Sequence, residues 1–140
     1  MKCGGFEWSA INGVKFPRAV IYINSRIRNE WIPIIVHIDS GADITIINRS
    51  LGNAIVSNVE SGRKVSIGGV GGGSIITYRH KISLKIGECP IDSEIAICEA
   101  DPLKRCLLGF DLIQKFKGVY FDGDHKRTCF SVDNIGGRIV

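Results

Sequence analysis

Residues 34–47 read Ile-Ile-Val-His-Ile-Asp-Ser-Gly-Ala-Asp-Ile-Thr-Ile-Ile, and no other stretch constrains the fold as much. An apolar run rises to one acid, Asp39, breaks at Ser40-Gly41, and resumes as a second apolar run. β-Branched residues on both sides argue for two strands. The acid then stands where the chain is expected to be most buried. An ionised carboxylate in such a place is costly unless it is paired, hydrogen-bonded or put to use. Asp-Ser-Gly alone is also ordinary turn chemistry. A surface turn, however, needs no isoleucine strand before it and another after it. Ser40 and Gly41 are placed to donate the hydrogen bonds that a buried acid requires.

The chain has 140 residues, 44% apolar and 23% charged, which suits one soluble globular domain spanning residues 1–140. Its net charge of +4 is mild, and the lysines and arginines are scattered, so there is no nucleic-acid footprint. The longest apolar stretch, residues 31–38, contains Pro33 and His37 and is too short to span a membrane. The first residues lack the apolar segment of a signal peptide, so the default expectation is a cytoplasmic location. Five cysteines, at 3, 89, 98, 106 and 129, form no C-x-x-C pair. An odd count without a signal peptide argues for reduced, buried thiols rather than a disulfide framework or a zinc site. No metal or cofactor is expected.

Along the chain, residues 1–15 read as an N-terminal arm or a short edge strand. Residues 17–24 and 31–38 read as a hairpin around a polar turn, 44–47 as a short strand, and 48–52 as one helical turn closed by Gly52. Residues 64–78 form a second hairpin with five glycines among the six residues 68–73 at its tip. Residues 81–86 and 91–97 alternate apolar and polar, joined by a turn at 87–90. A short apolar strand, 106–108, leads through Gly109 into a helix over 111–117, with Leu112, Ile113 and Phe116 on one face. Residues 119–132 make a C-terminal hairpin, and Gly136 and Gly137 suggest a loose tail. Many short strands with one late helix predict an all-β domain.

The chemistry centres on Asp39. One carboxylate cannot efficiently both activate water and protonate a leaving amine. Two close carboxylates that share a proton divide those roles. The chain has a single Asp-Ser-Gly, and Asp122-Gly123-Asp124 lacks the apolar approach. If Asp39 is catalytic, its partner is Asp39 of a second copy, brought to a two-fold axis. The glycine-rich tip loosely fits a dinucleotide fingerprint. No helix follows it, so that reading fails; a mobile hairpin closing over an extended peptide fits better, and a plain surface turn stays open as the alternative.

Three segments in this order resemble the retropepsins, the dimeric aspartic proteases of retroviruses, retrotransposons and their cellular relatives. They are Ile38-Asp39-Ser40-Gly41-Ala42-Asp43, the flap-like Ile67-Gly68-Gly69-Val70-Gly71-Gly72, and Leu107-Leu108-Gly109-Phe110-Asp111 opening a helix. The resemblance covers about residues 17–120. It implies a closed barrel with a flap, acting as a homodimeric aspartic endopeptidase on extended peptides. Asp39 would be the catalytic acid, and Ser40 would bond across the dimer axis. Gly41 and Asp43 would hold the substrate main chain, and the Val70 N–H would reach a substrate carbonyl. Ala42, Leu107 and Ile67 to Gly69 would line the cleft. The chain departs from the pattern in three places. Phe110 stands where retroviral enzymes commonly carry an arginine that braces the dimer. The chain runs on into the 119–132 hairpin, which puts the dimer interface in question. His37 replaces an apolar residue and, by strand alternation, shares the face of Asp39. It is expected to line the substrate pocket and to bear on pH dependence or side-chain preference; the alternative is a histidine packed away or facing solvent. A catalytically silent peptide-binding or dimerisation module of the same fold is the alternative to an enzyme.

Overall fold

The computed structural model describes residues 2–70, 73–103 and 105–131, and the backbone of 134–135 and 138–139. The chain opens with β1 (Lys2–Glu7) and a small hairpin of β2 (Ser9–Ile11) and β3 (Val14–Phe16). Asn12 and Gly13, both at positive φ, turn that hairpin. β4 (Arg18–Ser25) and β5 (Glu30–Ile38) form the expected antiparallel pair, with Ile21 opposite Ile34. Alternation buries Ala19, Ile21 and Ile23 on one strand and Ile34 and Val36 on the other. Ser25 fixes the turn between them: its hydroxyl accepts the N–H groups of Ile27 and Arg28 and donates to the Ala54 carbonyl at 2.6 Å.

After the acid loop come β6 (Ile46–Ile47) and α1 (Arg49–Gly52), then the long β7 (Arg63–Val70) and β8 (Gly73–Ile86). β9 (Cys89–Cys98), β10 (Cys106–Leu108), α2 (Phe110–Ile113), β11 (Gly118–Asp122) and β12 (Arg127–Ser131) follow. The strands run β4-β5-β10-β6-β9-β8-β7, and β8 also pairs with β4, so six of them close into a barrel. β10 arrives late in the chain yet inserts between β5 and β6, parallel to the first and antiparallel to the second. That insertion brings the strand before Gly109 beside the strand before Asp39.

Isoleucines fill the barrel: Ile21, Ile23, Ile47, Ile86, Ile95 and Ile97 are fully buried. Each contributes on the order of 1.5–3 kcal/mol relative to exposure. A second sheet, β1-β12-β11, closes one end through Phe130, whose ring lies 5.9 Å from that of Phe6 and 5.0 Å from that of Phe116.

Several expectations change. Of the two readings of residues 1–15, the described part, 2–15, takes the edge strand rather than the arm: β1 pairs with β12 at a sheet edge, and β2–β3 is a hairpin of its own. Residues 73–86 form one strand rather than two, because the alternation of 81–86 continues the flap strand. The helix ends at Ile113, short of the expected residue 117. Beyond it Lys115 and Phe116 bond three residues back, and Lys117 donates to the Ser131 carbonyl at 2.8 Å. The chain is thus drawn into β11 while Phe116 enters the core. Cys89 is disulfide-bonded, contrary to the expectation of reduced thiols, whereas Cys98, Cys106 and Cys129 are free. The glycines at 136 and 137 lie outside the described residues; flanking them, β13 (Asn134–Ile135) and β14 (Arg138–Ile139) pair with each other.

Candidate active site

β5 delivers the chain to the acid, and the ladder continues one step beyond the strand. The Asp39 N–H donates to the Leu108 carbonyl at 2.9 Å, so β10 fixes where the acid begins. A turn follows, with the Ala42 N–H on the Asp39 carbonyl at 3.1 Å. Inside it the Gly41 N–H donates to Asp39 Oδ1 at 2.9 Å, a charge-assisted bond to the carboxylate. A Cβ at Gly41 would stand 3.3 Å from that same oxygen. Asp39 itself is half-buried, and Ser40 and Gly41 are exposed. The full burial expected from the flanking isoleucines is not met within one chain, because the turn carries the acid out past the end of the barrel.

A second layer holds the turn. Thr45 is fully buried; its hydroxyl donates to Asp111 Oδ1 at 2.7 Å and accepts the Gly109 N–H at 3.0 Å. Asp111 Oδ1 also accepts the Leu112 N–H at 2.9 Å, which satisfies a donor at the start of α2. The Phe110 N–H reaches the Ala42 carbonyl at 2.7 Å, and the Asp111 N–H reaches that of Asp43 at 3.2 Å. This approach demands glycine at 109, where a Cβ would lie 2.5 Å from the Ile44 carbonyl carbon and 2.9 Å from the Ala42 oxygen. The sequence places Asp111 at the opening of a helix and gives no role to Thr45. The signal was present: one hydroxyl inside an isoleucine run needs a buried partner.

The acid opens onto a cavity of about 440 Å³ lined by Asp39, Gly41, Ala42, Asp43, Ile67, Gly68 and Leu107, together with Ile44 and Ile46. The two isoleucines were not foreseen as lining. Gly69 and Val70 lie at the end of β7, where the ladder bulges between Gly68 and Val70 and Val70 pairs with Gly73.

His37 is placed elsewhere. It lines a second cavity of about 310 Å³, with Ser9, Ile35 and Arg105 among its neighbours. Its ring stacks on Phe16 at 6.2 Å between centroids. Alternation puts it on the same side of β5 as Ile35, and residues of the β2–β3 hairpin, Ser9 to Ile11 and Phe16, stand beside it. Burial, and then the Arg105 guanidinium, hold the imidazole below its ordinary pKa. A larger groove of about 550 Å³, between β4, β8 and β9, has Asp92 and Glu94 in its wall. Both are engaged, Asp92 by the Ser83 hydroxyl and Glu94 by Arg63 and Arg79. Among the described residues no three His, Cys, Asp or Glu cluster as a metal site would require, and no helix is long and apolar enough to cross a membrane.

A sequence profile of the family described as retroviral aspartyl protease matches residues 16–120. DNA damage-inducible protein 1 of Yarrowia lipolytica is 29% identical over 100 residues, which are 70% of this chain. The match spans only 24% of that relative's length. Among solved structures, EIAV protease complexed with the inhibitor HBY-793 is 25% identical with a TM-score of 0.56, covering 76% of this chain and 93% of that one. A retropepsin-like aspartic protease from Rickettsia conorii gives a TM-score of 0.67 at 16% identity, over 91% and 89% of the two chains. The retroviral protease-like domain of Ddi1 from Leishmania major gives 0.60 at 20%, over 87% and 91%. These last two likenesses speak to the fold alone.

Proposed function

The chain belongs to the retroviral aspartyl protease family, and we propose that two copies of it form one aspartic endopeptidase, each contributing Asp39. The observation that carries this reading is the position of the acid. It sits half-covered at the mouth of a cavity beneath Ile67 and Gly68, with Ser40 and Gly41 left open at the loop tip. A second copy related by a two-fold axis would cover that tip and place the two carboxylates side by side.

Like charges at such a distance cannot both ionise, so the pair holds one proton. A water lies between them. The ionised carboxylate takes a proton from this water as its oxygen attacks the peptide carbonyl carbon. The protonated acid gives its proton to the carbonyl oxygen, leaving a tetrahedral diol. The carbon–nitrogen bond then breaks as the nitrogen receives a proton from one acid and a diol hydroxyl returns one to the other. No covalent enzyme intermediate forms. Ser40 bonds across the axis and stiffens both loops. The Gly41 carbonyl and Asp43 hold the substrate backbone, Val70 at the flap tip meets a substrate carbonyl, and Ala42, Leu107, Ile67, Gly68 and Gly69 wall the cleft. An extended peptide is the substrate that such backbone contacts select.

Asp39→Asn is the test. It should lower cleavage of a peptide library by about 10³-fold or more while leaving the chain folded and dimeric by sedimentation. Cleavage that survives the substitution overturns the mechanism. A folded dimer that binds peptides but never cuts them, even with Asp39 intact, identifies a silent binding module instead.

A further inference from the structure

The cavity around His37 has an electrostatic character that the site at Asp39 does not use. Arg105 and His37 line it with Ser9, Ile11, Ile35 and Asn48, and among the described residues no carboxylate stands in its lining. Arg105 makes no ion pair with any described residue. Held below its ordinary pKa, His37 is a neutral hydrogen-bonding group at pH 7 rather than a second cation. The cavity is also near the acid. In the parallel register of β5 and β10, His37 stands beside Leu107, and Leu107 lines the cavity of Asp39. With a strand rise near 3.3 Å, His37 lies roughly 6–7 Å from Asp39 along β5 and the level of Arg105 roughly 13 Å. Side chains on one face of an extended peptide recur at the same interval of about 6–7 Å.

We propose that this second cavity is a specificity subsite for an acidic side chain, Asp or Glu, placed two to four residues from the bond that is cut. The proposal rests on the peptide-binding half of the function proposed above, not on its chemistry. The Arg105 guanidinium meets the carboxylate through charge-assisted bonds, and Ile11 and Ile35 pack on the methylene stem. An apolar or amide side chain in the same place would cover Arg105 without neutralising it, and a positive one would be repelled, so discrimination comes from rejection as well as attraction.

Two measurements separate the subsite from the catalysis. Peptides differing only as Glu or Gln at each position within four residues of a cleaved bond are compared by kcat/KM with the wild-type chain. The same pairs are titrated into folded Asp39→Asn, where nothing is cut. A preference for Glu of about 10-fold or more is expected at one position, equalised by Arg105→Gln and turned toward Lys by Arg105→Glu. The ratio within each pair is the readout, so a general loss of affinity cancels. Equal affinities for Glu and Gln at every position, a preference that survives Arg105→Gln, or no binding of any peptide overturns the proposal. An Arg105-dependent preference in Asp39→Asn with no cleavage by the wild-type chain upholds the subsite and overturns the protease.

Discussion

His37 is the residue whose surroundings differ most from expectation. Alternation along β5 predicts that it shares the face of Asp39, and Phe16 and Arg105 are its neighbours in the structure. Its pKa is held below the ordinary value of 6.5, first by burial and then by Arg105. The unfolded chain therefore binds a proton at this site more readily than the folded chain. Above about pH 7 both forms are neutral and the site adds no pH dependence. As the pH falls through 6.5 toward the lower folded value, the unfolded form is favoured and stability is lost. His37→Gln should flatten the fall in urea midpoint between about pH 7.5 and 5.5 relative to the wild-type chain. Parallel curves for the two proteins would mean that the folded environment does not penalise the charged ring.

At the scale of elements, the site is a clamp between two loops from distant parts of the chain. Thr45 joins them by bonding to both Gly109 and Asp111. Thr45→Val keeps the volume and removes the hydroxyl, leaving the buried Gly109 N–H unpaired. It should cost about 2–4 kcal/mol in urea unfolding and lower turnover as the acid loop loses its alignment. A loss below about 0.5 kcal/mol would mean that water or a backbone shift replaces the hydroxyl. The sequence carried the pieces of this clamp unequally. Asp39-Ser40-Gly41, the glycine hairpin and Leu107-Leu108-Gly109 were legible because each is a local pattern with its own turn or strand chemistry. The insertion of β10 between β5 and β6 was not, because pairing across some seventy residues leaves no local periodicity. The overlong helix has a similar cause. The spacing of Leu112 and Phe116 is helical, but Phe116 is oriented by Phe130 in the opposite sheet, and tertiary packing overrides the pattern.

For the whole molecule, the barrel closes within one chain while the acid loop stays open. β4 to β8 closure satisfies the sheet, and the isoleucine core needs nothing from a second chain. The acid loop, by contrast, leaves Asp39 half-covered and Ser40 exposed, and Phe110 beside it is 47% exposed where a buried aromatic would be usual. Phe110 offers an apolar contact in place of an arginine brace, so a dimer held there would respond to concentration more than to salt. Under the proposed function, the pairing of two chains covers that loop and completes the site. Its most direct measurement is activity after wild-type and Asp39→Asn chains are refolded together in varied ratio at fixed total protein. A site shared across the two-fold axis predicts activity that follows the square of the wild-type fraction, about one quarter at equal parts. A site complete within each chain would give a straight line, with about one half remaining, and would contradict the shared acid pair.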